Sequence, residues 1–141
     1  MIRIELIDDR IDQIRSSVHR LEGLSLLQLD EFISDPDNFA IAEHHLRRAL
    51  ESLLDIGRHI LAKGGFGKPV DYADIITSLG ANGVIPMDFA NGIRGMAGYR
   101  NRLVHVYAEI TPEEIYSLLT TKSNDFHKFC EYIEAYMMRS R

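Results

Sequence analysis

Ile4, Ile7, Ile11, Ile14, Val18 and Leu21 recur at alternating intervals of three and four residues, with charged side chains between them. That spacing keeps all six on one side of an α-helix, and it predicts a first helix closed by Gly23. Ser25 and Gln28 then have the pattern of a capping box leading into a short second helix through Leu29, Phe32 and Ile33. Asp35-Pro36-Asp37 combines a turn with a helix start, and Phe39, Leu46, Leu50, Leu53 and Ile60 carry a long third helix to Gly64-Gly65. Asp71 and Asp74 open a short helix through Ile75, Ile76 and Leu79, closed by Gly80 and Gly83. Pro86 starts another helix, whose stripe reads Phe89, Ile93, Met96, Arg100, Leu103 and Tyr107. Thr111-Pro112-Glu113-Glu114 supplies an N-cap, a proline for the first turn and acidic residues that suit the positive end of the helix dipole. Ile115, Leu118, Phe126, Phe129, Ile133 and Tyr136 continue that last helix nearly to the end.

No segment alternates as a strand does. The pattern predicts an all-α fold, a helical bundle of four main helices plus one or two short ones. At 141 residues the chain suits one domain over 1–141, with no internal repeat or linker. Hydrophobic content of 45% beside 26% charged residues excludes disorder, and no apolar run is long enough for a membrane span. Cys130 is the sole cysteine, which excludes an intrachain disulfide or a cysteine metal cluster and points to a reducing, cytoplasmic setting.

A net charge of −5 argues against a surface that coats nucleic acid broadly. Locally the balance reverses. From Asn91 to Ala108 the chain holds Arg94, Arg100, Arg102 and His105 and not one carboxylate. A basic pocket on an acidic body suits an anionic partner engaged at one place.

Within that segment, Tyr99-Arg100-Asn101-Arg102-Leu103-Val104-His105-Val106-Tyr107 concentrates the chemistry. Arginine grips phosphate with a permanently charged fork, and histidine moves protons near neutral pH. Cleaving a phosphodiester needs both. Arg100 also occupies a place where the helical stripe calls for an apolar residue, so it either meets a carboxylate from another helix or lines a cleft that receives an anion. Arg100 and His105 are five residues apart, roughly 140° around an ideal helix, whereas Asn101 and His105 share a face. One straight helix cannot aim Arg100 and His105 at one atom; a bend near His105, or two copies facing each other across a dimer, would. Gly92, Gly95 and Gly98 just ahead are explained equally by close approach of another helix or by a loosened helix start.

The run Gly98 to Tyr107 resembles the signature of the HEPN superfamily, specifically the HepT-like toxins. The long helix with Asp55-Ile56-Gly57-Arg58-His59-Ile60, the segment Pro69-Val70-Asp71-Tyr72 and the run Ile110 to Tyr116 resemble the same family in the same order. The resemblance implies a dimeric α-helical bundle with Arg100 and His105 in an interfacial cleft. It implies a metal-independent endoribonuclease acting on transfer or messenger RNA, with Asn101 supporting the site and no cofactor. It further implies a minimal nucleotidyltransferase antitoxin as partner, which silences the toxin by adenylylating Tyr107. Arg94 and Arg102 are candidates for further RNA contacts. The competing reading is a non-catalytic HEPN module that binds a nucleotidyltransferase and nucleotide or RNA.

Two weaker signals complete the inventory. His44, His45, Arg47, Arg48, Arg58, His59 and Lys63 on the third helix read as a solvated face before they read as an RNA surface. The loop Lys63 to Pro69 lacks the glycine spacing, the hydroxyl residue and the preceding strand of a phosphate loop, and reads as a glycine cap and flexible connection.

Overall fold

A computed structural model describes residues 1–104 and 110–140. The first helix, α1 (Ile4–Ser25), buries Ile7, Ile11, Ile14, Val18 and Leu21 as their spacing requires, while Ile4 stays at its exposed start. It runs past Gly23, where an added Cβ would meet nothing within 4 Å. Glycine there merely weakens the helix and does not end it. Ser25 is not a cap either: its hydroxyl donates to the Glu22 carbonyl at 2.6 Å. The capping residues of α2 (Leu29–Ser34) are Gln28 and Glu31, with the Gln28 N–H donating to Glu31 Oε1 at 3.0 Å. Phe32 is the buried anchor of that short helix.

The third helix, α3 (Pro36–Gly64), begins as its sequence dictates. The Asp35 carboxylate accepts the Asp37 N–H at 3.0 Å and Pro36 stands in the first turn, where no N–H is missed. Gly65 ends it with φ of 71°, a left-handed conformation that glycine adopts without a Cβ clash. The buried face of α3, from Ala42 to Leu61, touches nearly every other element of the fold. Next comes α4 (Tyr72–Ala81), capped by Asp71, whose carboxylate accepts the Asp74 N–H at 2.7 Å. It lies on bare backbone of α3: a Cβ at Gly57 would fall 2.6 Å from Ile75 Cγ2 and 3.0 Å from Leu79 Cδ1.

The second half departs from the expected four long helices in two places. The helix begun at Pro86 is two, α5 (Met87–Ile93) and α6 (Met96–Val104), separated at Arg94-Gly95. The last helix is also two, α7 (Pro112–Thr121) and α8 (Ser123–Arg139). Hydroxyls explain the second break. Thr121 and Ser123 donate to the carbonyls of Ser117 at 2.6 Å and Leu119 at 2.7 Å, offering those groups partners other than the next helical N–H. The Thr111 cap of α7 is as expected, its hydroxyl accepting the Glu114 N–H at 3.2 Å.

Buried side chains from all eight helices form one continuous cluster among the described residues. Phe126, Phe129 and Ile133 of α8 complete it beside Cys130, whose thiol burial pushes up to about 12. No described helix is long and apolar enough to cross a membrane.

Two histidines tie α3 to α1. His59 Nε2 accepts the Arg3 N–H at 2.9 Å, and His45 Nδ1 lies 3.1 Å from Ser17 Oγ. Burial holds both imidazoles below their ordinary pKa, helped by Lys63 and Arg3 at His59 and by His44, Arg20 and Arg48 at His45. The unfolded chain therefore binds more protons between the depressed values and about 6.5, so this contribution is complete above pH 6.5 and drains away as pH falls through that window. Thermal midpoints should drop from pH 7.5 to pH 5, with a shallower slope in His45→Gln/His59→Gln. Gly57→Leu should lower stability by about 1–3 kcal/mol through overpacking, whereas Gly23→Ala should raise it by up to about 1 kcal/mol, both read by urea unfolding.

Candidate functional site

The break at Arg94-Gly95 sets the direction of α6 independently of α5. The turn is closed by short-range bonds, Ala97 N–H to the Arg94 carbonyl at 3.3 Å and Gly98 N–H to the Gly95 carbonyl at 3.1 Å. Apart from adjacent residues and their own helix backbone, no atom of the described residues lies within 4 Å of a Cβ built on Gly92, Gly95 or Gly98. Close packing against the described residues is therefore not the reason for them; they relax the helix start.

Met96, Ala97 and Leu103 turn α6 into the core. Arg100, which the stripe placed among them, sits half-buried at the edge of that face. Among the described residues it forms no ion pair. Its guanidinium carbon instead lies 4.6 Å from the centre of the Tyr72 ring, at the first turn of α4. A cation over an aromatic face is stabilised by roughly 0.5–2 kcal/mol, and it keeps its N–H donors available, which a carboxylate partner would consume. Of the two settings expected for Arg100, the carboxylate partner is not the one found among the described residues. Asn101 is exposed on the next position and borders a groove of about 770 Å³ shared with Arg58, Lys68 and Tyr72.

Arg102 and Arg94 have different surroundings. Arg102 makes a two-pronged ion pair with Glu114 in the first turn of α7, at 2.6 Å and 2.9 Å, which raises its pKa further above the ordinary value. The pair spans the segment between α6 and α7. Arg94 is exposed at the turn before α6. His105 and Tyr107 lie outside the described residues.

Tyr72 is the residue that sequence reasoning did not assign to the site, although it belongs to the Pro69-Val70-Asp71-Tyr72 run that carries the family resemblance. Its neighbour Arg58, 5.8 Å from the ring centre, was read as part of a solvated helix face. The imidazoles of His44 and His45 meet edge to face with centres 4.9 Å apart. No third donor joins them: among the described residues no three His, Cys, Asp or Glu side chains gather in a way that could hold a metal ion.

A family model described as ribonuclease HepT-like matches residues 7–133. The chain is 26% identical over 133 residues to the tRNA nuclease HepT of Aphanizomenon flos-aquae, covering 94% of this chain and 90% of that protein. It is 30% identical over 91 residues to the mRNA nuclease HepT of Shewanella oneidensis, covering 64% and 68%. In three dimensions it resembles a tri-AMPylated HEPN toxin of Shewanella oneidensis in complex with MNT antitoxin, with a TM-score of 0.84, 25% identity, and 94% and 99% of the two chains covered.

The Arg102–Glu114 pair yields a prediction about motion. Glu114→Ala should speed amide hydrogen exchange in α6 and in the first turn of α7, with little change in the global unfolding midpoint, because a half-exposed pair contributes mainly local order. Equal exchange in both proteins would show that the pair does not order this region.

Proposed function

The chain belongs to the HepT-like ribonuclease family, and we propose that it is the RNA-cleaving toxin of a toxin–antitoxin pair, with Arg100 and His105 as its catalytic residues. The observation that carries this reading is the match to HepT ribonucleases across residues 7–133, in a chain that keeps Arg100, Asn101, His105 and Tyr107 at the motif positions. Arg100, over the ring of Tyr72 and with its donors unclaimed by any described carboxylate, suits that role.

RNA carries its own nucleophile. His105 removes the proton of a ribose 2′-hydroxyl, which attacks the adjacent phosphorus and expels the 5′-oxygen of the next nucleotide. A second His105 or a water returns a proton to that leaving oxygen. Arg100 neutralises the charge that builds on the phosphate oxygens, and Asn101 supports the site by hydrogen bonding. Arg94 and Arg102 stand near enough in sequence to contribute RNA contacts, with Arg102 doing so from its pair with Glu114.

A homodimer answers the angular problem of Arg100 and His105, since the arginine of one copy can meet the histidine of the other. The open backbone at Gly92, Gly95 and Gly98 suits such an approach. A minimal nucleotidyltransferase is the partner, and adenylylation of Tyr107 is the means of neutralisation. The relative bearing AMP in complex with its antitoxin supports this. Adding a phosphate there places an anion where Arg100 would receive the RNA. The reaction takes place in the cytoplasm, where RNA and ATP are both at hand.

Purified, partner-free protein of unmodified mass should cleave bulk transfer RNA or a messenger transcript in EDTA. His105→Ala should lose at least about a hundredfold in rate while remaining dimeric, and Arg100→Ala a comparable factor. Tyr107→Phe should resist silencing by the nucleotidyltransferase with ATP. Unmodified wild type that cleaves neither RNA would replace this reading with that of a non-catalytic module.

A further inference from the structure

The groove beside Asn101 is larger than one scissile phosphate needs. Its volume of about 770 Å³ falls within the range, about 300–1,000 Å³, typical of sites that enclose a whole small ligand. Its walls come from three helices and one loop. Arg58 is in the next-to-last stretch of α3, Lys68 is in the loop that follows, and Tyr72 and Asn101 belong to α4 and α6. The loop is brought there by two glycines: Gly65 turns the chain off the end of α3, and Gly67, with φ of 91°, turns it again. Lys68 thereby reaches the same groove as Arg58, ten residues earlier.

The charges in this groove favour an anion. Arg58 has a side chain half exposed and leans on Asp55 at 3.5 Å, but Asp55 is shared with Arg10 at 3.2 Å. Asp71, the carboxylate in the groove wall, already serves as the cap of α4. Asp74 is likewise engaged, accepting the Val70 N–H at 2.9 Å. Lys68 enters no ion pair among the described residues. The groove is also continuous with the proposed reaction centre, because Tyr72 lines it while carrying Arg100 over its ring, and Asn101 lines it from the motif itself.

We infer that this groove is an RNA subsite, in which Arg58 and Lys68 hold a backbone phosphate flanking the one that is cleaved. The inference rests on the ribonuclease reading above and adds to it a binding element outside the Arg–His motif. Loop 63–69 is no phosphate loop of the glycine-nest kind; its lysine acts as a point charge opposite the fork of Arg58. Asn101 and the rim of Tyr72 border the space left for the intervening nucleotide. Because these contacts are made with substrate and transition state alike, they contribute to KM and leave kcat nearly unchanged.

The test uses the full-length, partner-free protein and whichever of bulk transfer RNA or a messenger transcript the wild type cleaves. Arg58→Gln/Lys68→Gln should raise KM about tenfold with kcat within about twofold. Binding of the same RNA to His105→Ala should lose about 0.7 from its log–log salt slope when both changes together remove that one phosphate contact. Arg58→Lys/Lys68→Arg should restore most of the loss, and Arg20→Gln/Lys128→Gln, which removes equal charge elsewhere, should leave KM unchanged. Both groove positions are exposed, so the fold should persist; were the double variant to unfold, Lys68→Gln alone carries the test at half the slope change. Unchanged KM and salt slope in a chain that cleaves RNA overturns the subsite and leaves the ribonuclease reading intact. The same holds if the changes weaken only capture of the nucleotidyltransferase. Wild type that cleaves no RNA overturns both.

Discussion

Burial of α3 is the constraint from which the remaining geometry follows. Its inward face, from Ala42 to Leu61, packs against α1, α2, α4, α6, α7 and α8. Fully burying one leucine or isoleucine is favourable by roughly 1.5–3 kcal/mol, so a helix with this many such contacts outweighs the propensities of the short elements around it. The short helices α4 and α6 are of marginal length and would not persist alone. They hold their places because α3 presents a surface shaped for them, most plainly at Gly57, where the absence of a side chain lets Ile75 and Leu79 settle against its backbone.

That arrangement is also what makes Arg100 tolerable on the inward stripe of α6. The core needs an apolar residue on α6 every three or four positions, and Met96 and Leu103 comply, but position 100 does not. Placing a guanidinium deep in the cluster without a partner would cost several kcal/mol. The fold avoids this by setting Arg100 at the edge and giving it the face of Tyr72, an attraction that neutralises none of its charge. A carboxylate would have stabilised the side chain more and disabled it for gripping phosphate. Arg102, two residues on, has the opposite arrangement: Glu114 engages it, and it ties α6 to the start of α7. One arginine is held by a carboxylate and the other, among the described residues, by an aromatic face.

Much of this was legible in the chain itself, for reasons that differ by residue. The α1 stripe, the Asp35-Pro36 start of α3 and the caps at Asp71 and Thr111 are local statements, decided within a turn or two, and the structure repeats them. Gln28 with Glu31 was displaced in sequence reasoning by the more familiar Ser25, because a serine can equally bond backward to its own helix. The breaks at Arg94-Gly95 and at Lys122 were missed because an apolar period continues across each of them while glycines or hydroxyls loosen the backbone underneath. Arg100 and its neighbours announced themselves by residue type. Their setting did not: Tyr72 and Arg58 precede Arg100 by dozens of positions, and only the packing of α4 and α6 on α3 brings them together.

The burial of Cys130 has a practical reach beyond the core it fills. With its thiol pushed up to about 12 and enclosed between helices, nearly all of it stays protonated near neutral pH and is shielded from reagents. The native chain thus offers an almost silent background for maleimide and nitroxide chemistry. A single cysteine introduced on the surface of α6 or in the loop after α3 would take up label alone, with the wild-type core left untouched. Distances between two such labels, one on each copy, would then report how the protomers of the proposed homodimer face one another.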